Sequence, residues 1–451
     1  MQASGRTVLE GYKKIGIVGL GRSNRALLPL LPRDARLTLY SDAKIGDVPD
    51  NFTRVRCGVG ALSDIDEEVL ILSPSVRRER REIARAIARG VRVTSDCELF
   101  FELVRAPVIA VSGSDGKSTT ATLTHMLLEA SGVRSRLIGN IGVPMTPSTG
   151  GECDVYVAEL SSFMLHYLHP VLYRAGLTNL TPNHLDWHSS YDEYVAAKLG
   201  IYENAGGRVA FIGSREINRY IRERGAFGIA CYGLSYEAAR LLYPAEHYVT
   251  LEGGYILLDG ARLVHREEIR ARGEHAVKNF MCAVALTAEH TDRDAIRRVA
   301  GSFTGLAHRC ETVAVQDGVE YVDSSIDTTP ARCAETLRSL DRRVVLILGG
   351  RSKGLPYEPL VKAAEKYVRR AVIYGEAREE IYAALSATVR CDVVPDLRGA
   401  LLRAAECAEC GETVLLSPAA TSYDAFSSFE ERGEKFKEII AECCENRRKS
   451  K

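Results

Sequence analysis

The sequence predicts an α/β protein made of three α/β units in series. Short β-branched apolar runs alternate with amphipathic helical stretches along the whole chain. Glycine-rich turns, GLGRS at 19–23 and GSDGKS at 113–118, each follow directly on such a run. At 451 residues the chain exceeds one core, and at about 100 to 200 residues per domain it suggests three.

The first unit, residues 1–106, alternates strand and helix: KKIGIVGLG, a helix through RALLPLL, then ARLTLYSD, EVLILSPS, the helix RRERREIARAIARG, and VRVTSD. That order predicts a doubly wound parallel sheet. In the arginine-rich stretch Ile83, Ala84 and Ile87 keep helical spacing and Glu79 and Glu82 intervene, so the arginines read as the solvated face of an amphipathic helix. The second unit, 107–303, opens with the glycine loop. It runs through DVYVAEL, AGLTNLT, GRVAFIG and a hairpin-like 248–264 to a helix around Asn279. The third, 304–451, places VEYVDSS, RRVVLILGG, RAVIYGE, CDVVP and ETVLLSPA between helical stretches.

Lys plus Arg equals Asp plus Glu at 59 each, so no basic excess favours a nucleic-acid backbone or an anionic membrane surface. No apolar run approaches the ~18 residues of a membrane span, and the N-terminal stretch lacks the apolar core of a signal peptide. A cytoplasmic monomer without membrane insertion is expected. The twelve cysteines share no repeated spacing and read as small buried hydrophobes, with Cys407 and Cys410 an isolated C-x-x-C.

The run VIAVSGSDGKSTT at 108–120 carries most of the chemistry. The full P-loop pattern asks for a glycine where Val111 stands, yet a buried strand, Gly113 and Gly116 for a tight backbone, and a following helix are all there. Lys117 offers a charge to phosphate and Ser118 a hydroxyl to magnesium, at a helix N-terminus that favours anions. Ser114, Asp115 and Thr119 complete the loop. In the first unit IVGLGRSN matches a dinucleotide fingerprint at Gly19 and Gly21, with Arg22 and Ser23 beside them, but Asn24 takes the third glycine position. Asp42, after the second strand, suits a ribose hydroxyl; a nicotinamide cofactor and a diphosphate-linked sugar nucleotide both fit. Glu159, Ser161, His184 and Asp186 lie at or beyond apparent strand ends, where a parallel sheet presents its ligands, and Lys198 lies inside a helix flanked by Tyr194, Val195 and Tyr202.

The series GSDGKST, ELSSF, NLTPNHLD, AAKLGIYE, GEHAVKN, GLAHRCE, DSSIDTTPA, LILGGRSKG and LLSPAATSYDAFSSFEERG resembles, in order and along the whole chain, the Mur ligases of bacterial cell-wall synthesis. It most resembles the members that add D-glutamate. The resemblance implies an N-terminal Rossmann-like parallel sheet for a UDP-sugar, a central P-loop ATPase-like α/β domain, and a C-terminal Rossmann-like domain that contacts ATP and receives glutamate. It implies an ATP-dependent, ADP-forming amide ligase joining D-glutamate to UDP-N-acetylmuramoyl-L-alanine through an acyl phosphate in peptidoglycan precursor synthesis. Ser118 and Glu159 would hold one of two magnesium ions, and His184 and Lys198 would serve the other, Lys198 as a carbamate. Lys117 would neutralise the transferring phosphoryl group. Asn140 and Ser161 would face the UDP-sugar, with Gly19, Gly21, Arg22, Ser23 and Asp42. Asn279, Arg309 and Asp323 would contact ATP, and Lys353, Ser422 and Phe429 would receive glutamate.

The chain departs from the family pattern at named positions. Ala276 replaces an asparagine, Ser75 a glycine near the uracil position, and Ser325 the lysine of a DSKATN segment. The residue that would help bind glutamate is then Asp327 or Thr328. An L-glutamate-adding variant remains the nearest alternative, and a nicotinamide-dependent dehydrogenase the alternative from another class.

Overall fold

The computed structural model describes residues 8–42, 45, 48–185, 187–271 and 273–449; Asp186 lies outside them. The chain divides into two compact units, Met1–Phe303 and Thr304–Lys451. The first unit carries two separate sheets and the second carries one.

The first sheet comprises β1 (Lys14–Val18), β2 (Arg36–Ser41), β3 (Arg54–Cys57), β4 (Val69–Leu72) and β5 (Arg92–Thr94), all parallel in the order β3-β2-β1-β4-β5. The order reverses direction at β1, and the glycine turn that follows β1 therefore opens at the switch point, where such sheets present ligands. Two helices differ from expectation. RALLPLL is helical only as the end of Arg22–Leu27, followed by a 3-10 turn Leu28–Leu30, because Pro29 cannot donate to an α-helical ladder. The arginine run is helical only over Arg81–Ala88, which buries Ile83 and Ala86 and leaves Ile87 exposed. Arg77 and Arg78 precede that helix and turn inward.

The second sheet has nine strands: β6 (Val108–Ser112), β7 (Ser135–Gly139), β8 (Val155–Glu159), β9 (Leu172–Leu177), β10 (Ala205–Ile212), β11 (Ala226–Cys231), β12 (Ala245–Glu252), β13 (Tyr255–Leu258) and β14 (Ala261–His265). Their order is β14-β13-β12-β11-β10-β9-β6-β8-β7, and β12 to β14 form the antiparallel meander that the turns Gly253-Gly254 and Asp259-Gly260 announce. β6 lies between β8 and β9, buried along its whole length, so both faces are apolar. Helix Glu274–Leu286 packs over this sheet and buries nearly every residue from Ala276 to Leu286.

The Thr304–Lys451 unit holds β15 (Glu311–Gln316), β16 (Val319–Asp323), β17 (Val344–Gly349), β18 (Val368–Tyr374), β19 (Arg390–Val393) and β20 (Thr413–Leu416), ordered β15-β16-β20-β17-β18-β19 with β15 antiparallel. Apolar clusters fill both faces of this sheet. Strands β3, β7 and β15 carry weak sequence signals, because RVRC, SRLIG and ETVAVQ mix polar residues into short or edge strands. No described helix is long and apolar enough to cross a membrane, and the described cysteines are free thiols.

Candidate active site

The phosphate loop occupies the four residues between the end of β6 at Ser112 and the helix Lys117–Ala130. Val111 lies inside the strand, so the loop is shorter than the usual pattern rather than broken. Gly113 and Gly116 have φ of +143° and +76°. A Cβ would stand 1.9 Å from Thr178 Oγ1 at Gly113 and 2.2 Å from Asn279 Oδ1 at Gly116; both the backbone conformation and the close neighbours require glycine. The segment after β9 braces the loop. The Ser114 amide donates to the Asn179 carbonyl and the Asp115 amide to Asn179 Oδ1, both at 2.9 Å, while Thr178 Oγ1 donates to the Asp115 carbonyl at 2.6 Å. Ser114 Oγ is spent on this bracing, 2.6 Å from Tyr194 OH. Lys117 curls back to donate to the Ser114 carbonyl at 2.8 Å, and Ser118 and Thr119 lie half-buried in the first helical turn. With the Ser114 and Asp115 amides committed to Asn179, the N–H groups at the helix start are the ones placed to face an anion.

β8 pairs with β6 at Val111↔Glu159 and with β7 at Gly139↔Glu159, which sets Glu159 beside the loop. Glu159 is fully buried. Its Oε1 accepts from Asn140 Nδ2 at 2.8 Å, and its Oε2 has no hydrogen-bond partner. A buried carboxyl oxygen left without a donor is costly unless a cation completes it. Oxygen donors of the Glu159 carboxylate and Ser118 hydroxyl kind suit magnesium, a hard ion; the residues present fit the group.

Lys198 sits in the last turn of helix Tyr191–Leu199, whose start Ser190 caps by accepting the Glu193 amide at 3.1 Å. It is 2% exposed and donates to Ser112 Oγ at 3.2 Å. Burial, reinforced by the Lys117 charge and opposed by Glu159 and Asp115, holds its pKa well below the ordinary lysine value. The environment thus favours the neutral amine, the nucleophilic form, more than water does.

His184 has φ +54° and an exposed ring packed edge-on against Phe163 at 4.9 Å between centroids. Its loop is strapped to the first sheet. Trp187 Nε1 donates to the Ser75 carbonyl at 2.8 Å. Arg77 donates to the Trp187 carbonyl at 2.6 Å, pairs with Glu193 at 2.8 Å, and lies 4.7 Å over the indole. His188, one turn on, is buried with neither ring nitrogen hydrogen-bonded, although Nδ1 lies 3.6 Å from Glu193 Oε2, and burial pulls its pKa down to about 4.

In the first sheet, Gly19 (φ +80°) leaves 2.7 Å between a hypothetical Cβ and Ser73 Oγ. Asn24, at the third glycine position, donates from Nδ2 to the Gly19 carbonyl at 2.7 Å and thus pins the turn. Gly21 precedes the helix that Arg22 and half-buried Ser23 begin. Arg22 donates to the carbonyls of Gly139 (3.1 Å) and Asn140 (3.3 Å), which brings this turn against the loop after β7. Asn140 spends its amide nitrogen on Glu159. Asp42 is held by both nitrogens of Arg80 at 2.7 and 2.9 Å, which lowers its pKa. Ser161 caps the short helix Ser162–Leu165 by accepting the Met164 amide at 3.2 Å.

Within the Thr304–Lys451 unit, Arg309 is exposed, whereas Asp323 is fully buried: Oδ2 lies 2.7 Å from His308 Nδ1 and Oδ1 accepts the Ser325 amide at 2.8 Å. A Cβ at Gly433 would stand 2.1 Å from His308 Nδ1, so the glycine makes room for that pair. Lys353 is exposed on the turn after β17, Ser422 is buried, and Phe429 opens the last helix, which also carries Arg432. This guanidinium, wholly buried, donates to Ser325 Oγ (2.9 Å) and to the carbonyls of Ser325 (2.9 Å), Gly349 (3.3 Å) and Ala420 (3.1 Å). Ser325 Oγ in turn donates to the Phe429 carbonyl at 2.8 Å. Sequence reasoning assigned no role to Arg432, Asn179, Trp187 or His308; the Arg-Gly ending of the last motif was the one signal for Arg432.

A profile of the Mur ligase middle domain matches residues 111–287, and one of the Mur ligase glutamate ligase domain matches 308–420. UDP-N-acetylmuramoylalanine–D-glutamate ligase of Clostridium beijerinckii is 32% identical over 448 residues, covering 95% of this chain and 96% of the relative. The protein of that name from Acetivibrio thermocellus is 34% identical over 453 residues with the same coverage. Among solved structures, UDP-N-acetylmuramate-alanine ligase of Thermotoga maritima superposes with a TM-score of 0.56 at 15% identity over 95% of this chain and 99% of its own. A murein peptide ligase of Psychrobacter arcticus gives 0.51 at 17% over 94% and 98%; both bear on the fold. A dehydrogenase reading of GLGRS falls away with these matches. Loop, buried acid, depressed lysine and whole-length similarity converge, and the chain belongs to the Mur ligase family, ATP-dependent enzymes that form amide bonds.

Proposed function

We propose that this protein adds D-glutamate to UDP-N-acetylmuramoyl-L-alanine, with the whole-length similarity to D-glutamate ligases as the observation that carries the choice of substrates. The carboxylate of the alanine attacks the γ-phosphorus of ATP, ADP leaves, and an acyl phosphate forms. The glutamate amine then attacks the acyl carbon, loses a proton and expels phosphate as the amide forms. Activation is required because a carboxylate does not react with an amine at neutral pH.

Loop residues 113–119 would cradle the triphosphate, with the backbone N–H groups at the helix start facing the phosphates and Lys117 released from its Ser114 contact to the phosphoryl oxygens. Ser118 and Glu159 would hold magnesium, which screens the two anionic reactants from each other. Lys198 would add as a neutral amine to carbon dioxide and lose a proton, giving an anionic carbamate that serves a second ion with His184; its burial and depressed pKa support this. Gly19, Gly21, Arg22, Ser23, Asp42, Asn140 and Ser161 would take the UDP-sugar. Asn279, Arg309 and Asp323 would serve ATP, and Lys353, Ser422 and Phe429 glutamate. We propose three domains, with boundaries after residues 106 and 303, and a monomer in the cytoplasm.

The test is phosphate release from ATP with UDP-N-acetylmuramoyl-L-alanine and magnesium, in the presence of D-glutamate, L-glutamate or neither, with the product identified by mass. Release with D-glutamate alone is expected. Release with L-glutamate alone would keep the chemistry and reverse the stereochemical assignment.

A further inference from the structure

Two histidines and a carboxylate to which the resemblance gives no role meet at the end of the His184 loop. His166 closes the short helix Ser162–Leu165, His188 follows Trp187, and Glu193 lies in the first turn of helix Tyr191–Leu199. His188 Nδ1 stands 3.6 Å from Glu193 Oε2 and His166 Nε2 3.7 Å from Glu193 Oε1, and one ligand atom from each of the three lies within 4.8 Å of the other two. Glu79 adds Oε1 at 3.8 Å from His166 Nε2. The His188 side chain is 0% exposed, and neither of its ring nitrogens is hydrogen-bonded. Phe163, Trp187 and Tyr194 wall it in, with ring centroids at 6.0, 4.7 and 5.4 Å.

A buried imidazole without a hydrogen bond is costly, and aromatic walls offer little to offset that cost. What its Nδ1 does face is a carboxylate, too far for a hydrogen bond but at the spacing of two ligands on one ion. Bonds of about 2.0–2.1 Å in a tetrahedron put neighbouring ligand atoms about 3.4 Å apart. Imidazole nitrogen suits zinc and its first-row neighbours, whereas magnesium takes oxygen. Charge favours a cation as well: Glu79 and Glu193 bring two negative charges, and Arg77, which pairs with both, brings one positive. Arg77 and the Ser189 amide also fix the Glu193 carboxylate, as outer hydrogen bonds fix a ligating group.

We propose that His166, His188 and Glu193 form a centre for a zinc-class divalent ion, separate from the magnesium ligands Glu159 and Ser118, with Glu79 closing its outer side. The ion draws on the same carboxylate that anchors Arg77, and Arg77 holds the Trp187 carbonyl, so its binding registers at the junction of the first two sheets. The centre stands on geometry and donor type and does not depend on the ligase reading.

Titration of the full-length protein with cobalt(II) in excess magnesium, followed by visible absorption and by Trp187 emission, tests it. The indole centroid lies 4.7 Å from that of His188 and 5.3 Å from that of His166, so a paramagnetic ion between the histidines quenches it. One equivalent should bind with the intense d–d bands of a tetrahedral site, without a thiolate-to-cobalt charge-transfer band, and zinc should displace it. His166→Gln, at a half-buried position, and His188→Gln should each weaken cobalt binding by about tenfold or more, whereas Glu159→Gln should leave it within about twofold. Unchanged affinity in His166→Gln, a charge-transfer band that marks cysteine ligands, loss of the signal in Glu159→Gln, or no saturable quenching up to about 1 mM cobalt overturns the proposal.

Discussion

The indole nitrogen of Trp187 donates to the carbonyl of Ser75 at 2.8 Å, joining the loop that carries His184 to the sheet that carries GLGRS. Because Arg77 clamps the same indole from its face and holds its carbonyl, the two sheets of this unit meet through three contacts on one residue.

Trp187 is the chain's single tryptophan, so its emission reports this junction without interference. Titration with UDP-N-acetylmuramoyl-L-alanine should change the emission saturably. Arg77→Ala should shift it to longer wavelength and raise the KM for the UDP-sugar about fivefold, the loss of roughly 1 kcal/mol of hydrogen bonding. A KM that moves for ATP alone would place the junction's role elsewhere.

Lys198→Ala should lose nearly all phosphate release, and bicarbonate or short carboxylates should restore part of it, because they replace an anionic ligand. The buried amine also carries a stability cost. Its pKa is depressed on folding, so between the depressed and the ordinary value the unfolded chain binds a proton that the folded chain does not, and folding stability rises with pH across that window. Lys198→Met, inactive, should be more stable than wild type at pH 7 by about 1–3 kcal/mol in metal-free protein. Calorimetry checks the sign.

Glu159 Oε2, buried without a donor, predicts a metal-dependent stability. Magnesium with ATP should raise the wild-type Tm and leave Glu159→Gln almost unmoved, while Glu159→Gln in chelator should match or exceed wild type in chelator. A mutant that still responds fully to magnesium would move the ion away from Glu159.

Gly116→Ala meets two obstacles at once, φ of +76° and Asn279 Oδ1 at 2.2 Å from the new Cβ. ATP affinity should fall at least tenfold, about 1.4 kcal/mol. Pairing it with Asn279→Ala removes the contact but not the backbone cost, about 1–2 kcal/mol, so the double mutant should recover only in part.

Arg432→Met removes four donated bonds from a wholly buried hub and should destabilise the Thr304–Lys451 unit by about 3–5 kcal/mol. Arg432→Lys should recover little, since an ammonium cannot span acceptors arranged for a planar fork. Differential scanning of the C-terminal transition separates the two.

Much of the fold was legible because both periodicities were strong: β1, β6, β8 and β17 are apolar runs bounded by glycine, and helix Glu274–Leu286 was marked by Asn279. Strands such as β3 and β7 were not marked, since pairing with neighbours rather than their own residues makes them strands. The RALLPLL helix ended early because Pro29 outweighs leucine propensity, and the arginine run split because Arg77 and Arg78 gain buried partners by leaving the helix. The site's chemistry was legible where type and spacing suffice, at Gly113, Gly116, Lys117 and Ser118.

By itself the sequence determined the alternation of strands and helices, the short glycine loop and the family, because local periodicity and contiguous motifs are properties of the chain. Only the tertiary structure decided that Asn24 pins the glycine turn, that Asp323 turns inward to His308, that Glu159 keeps one bare oxygen, and that Asp327 is buried while Thr328 accepts from Lys353. Each of these depends on which side chains from distant segments fill the same space and compete for the same donors, and no single stretch of sequence contains that competition.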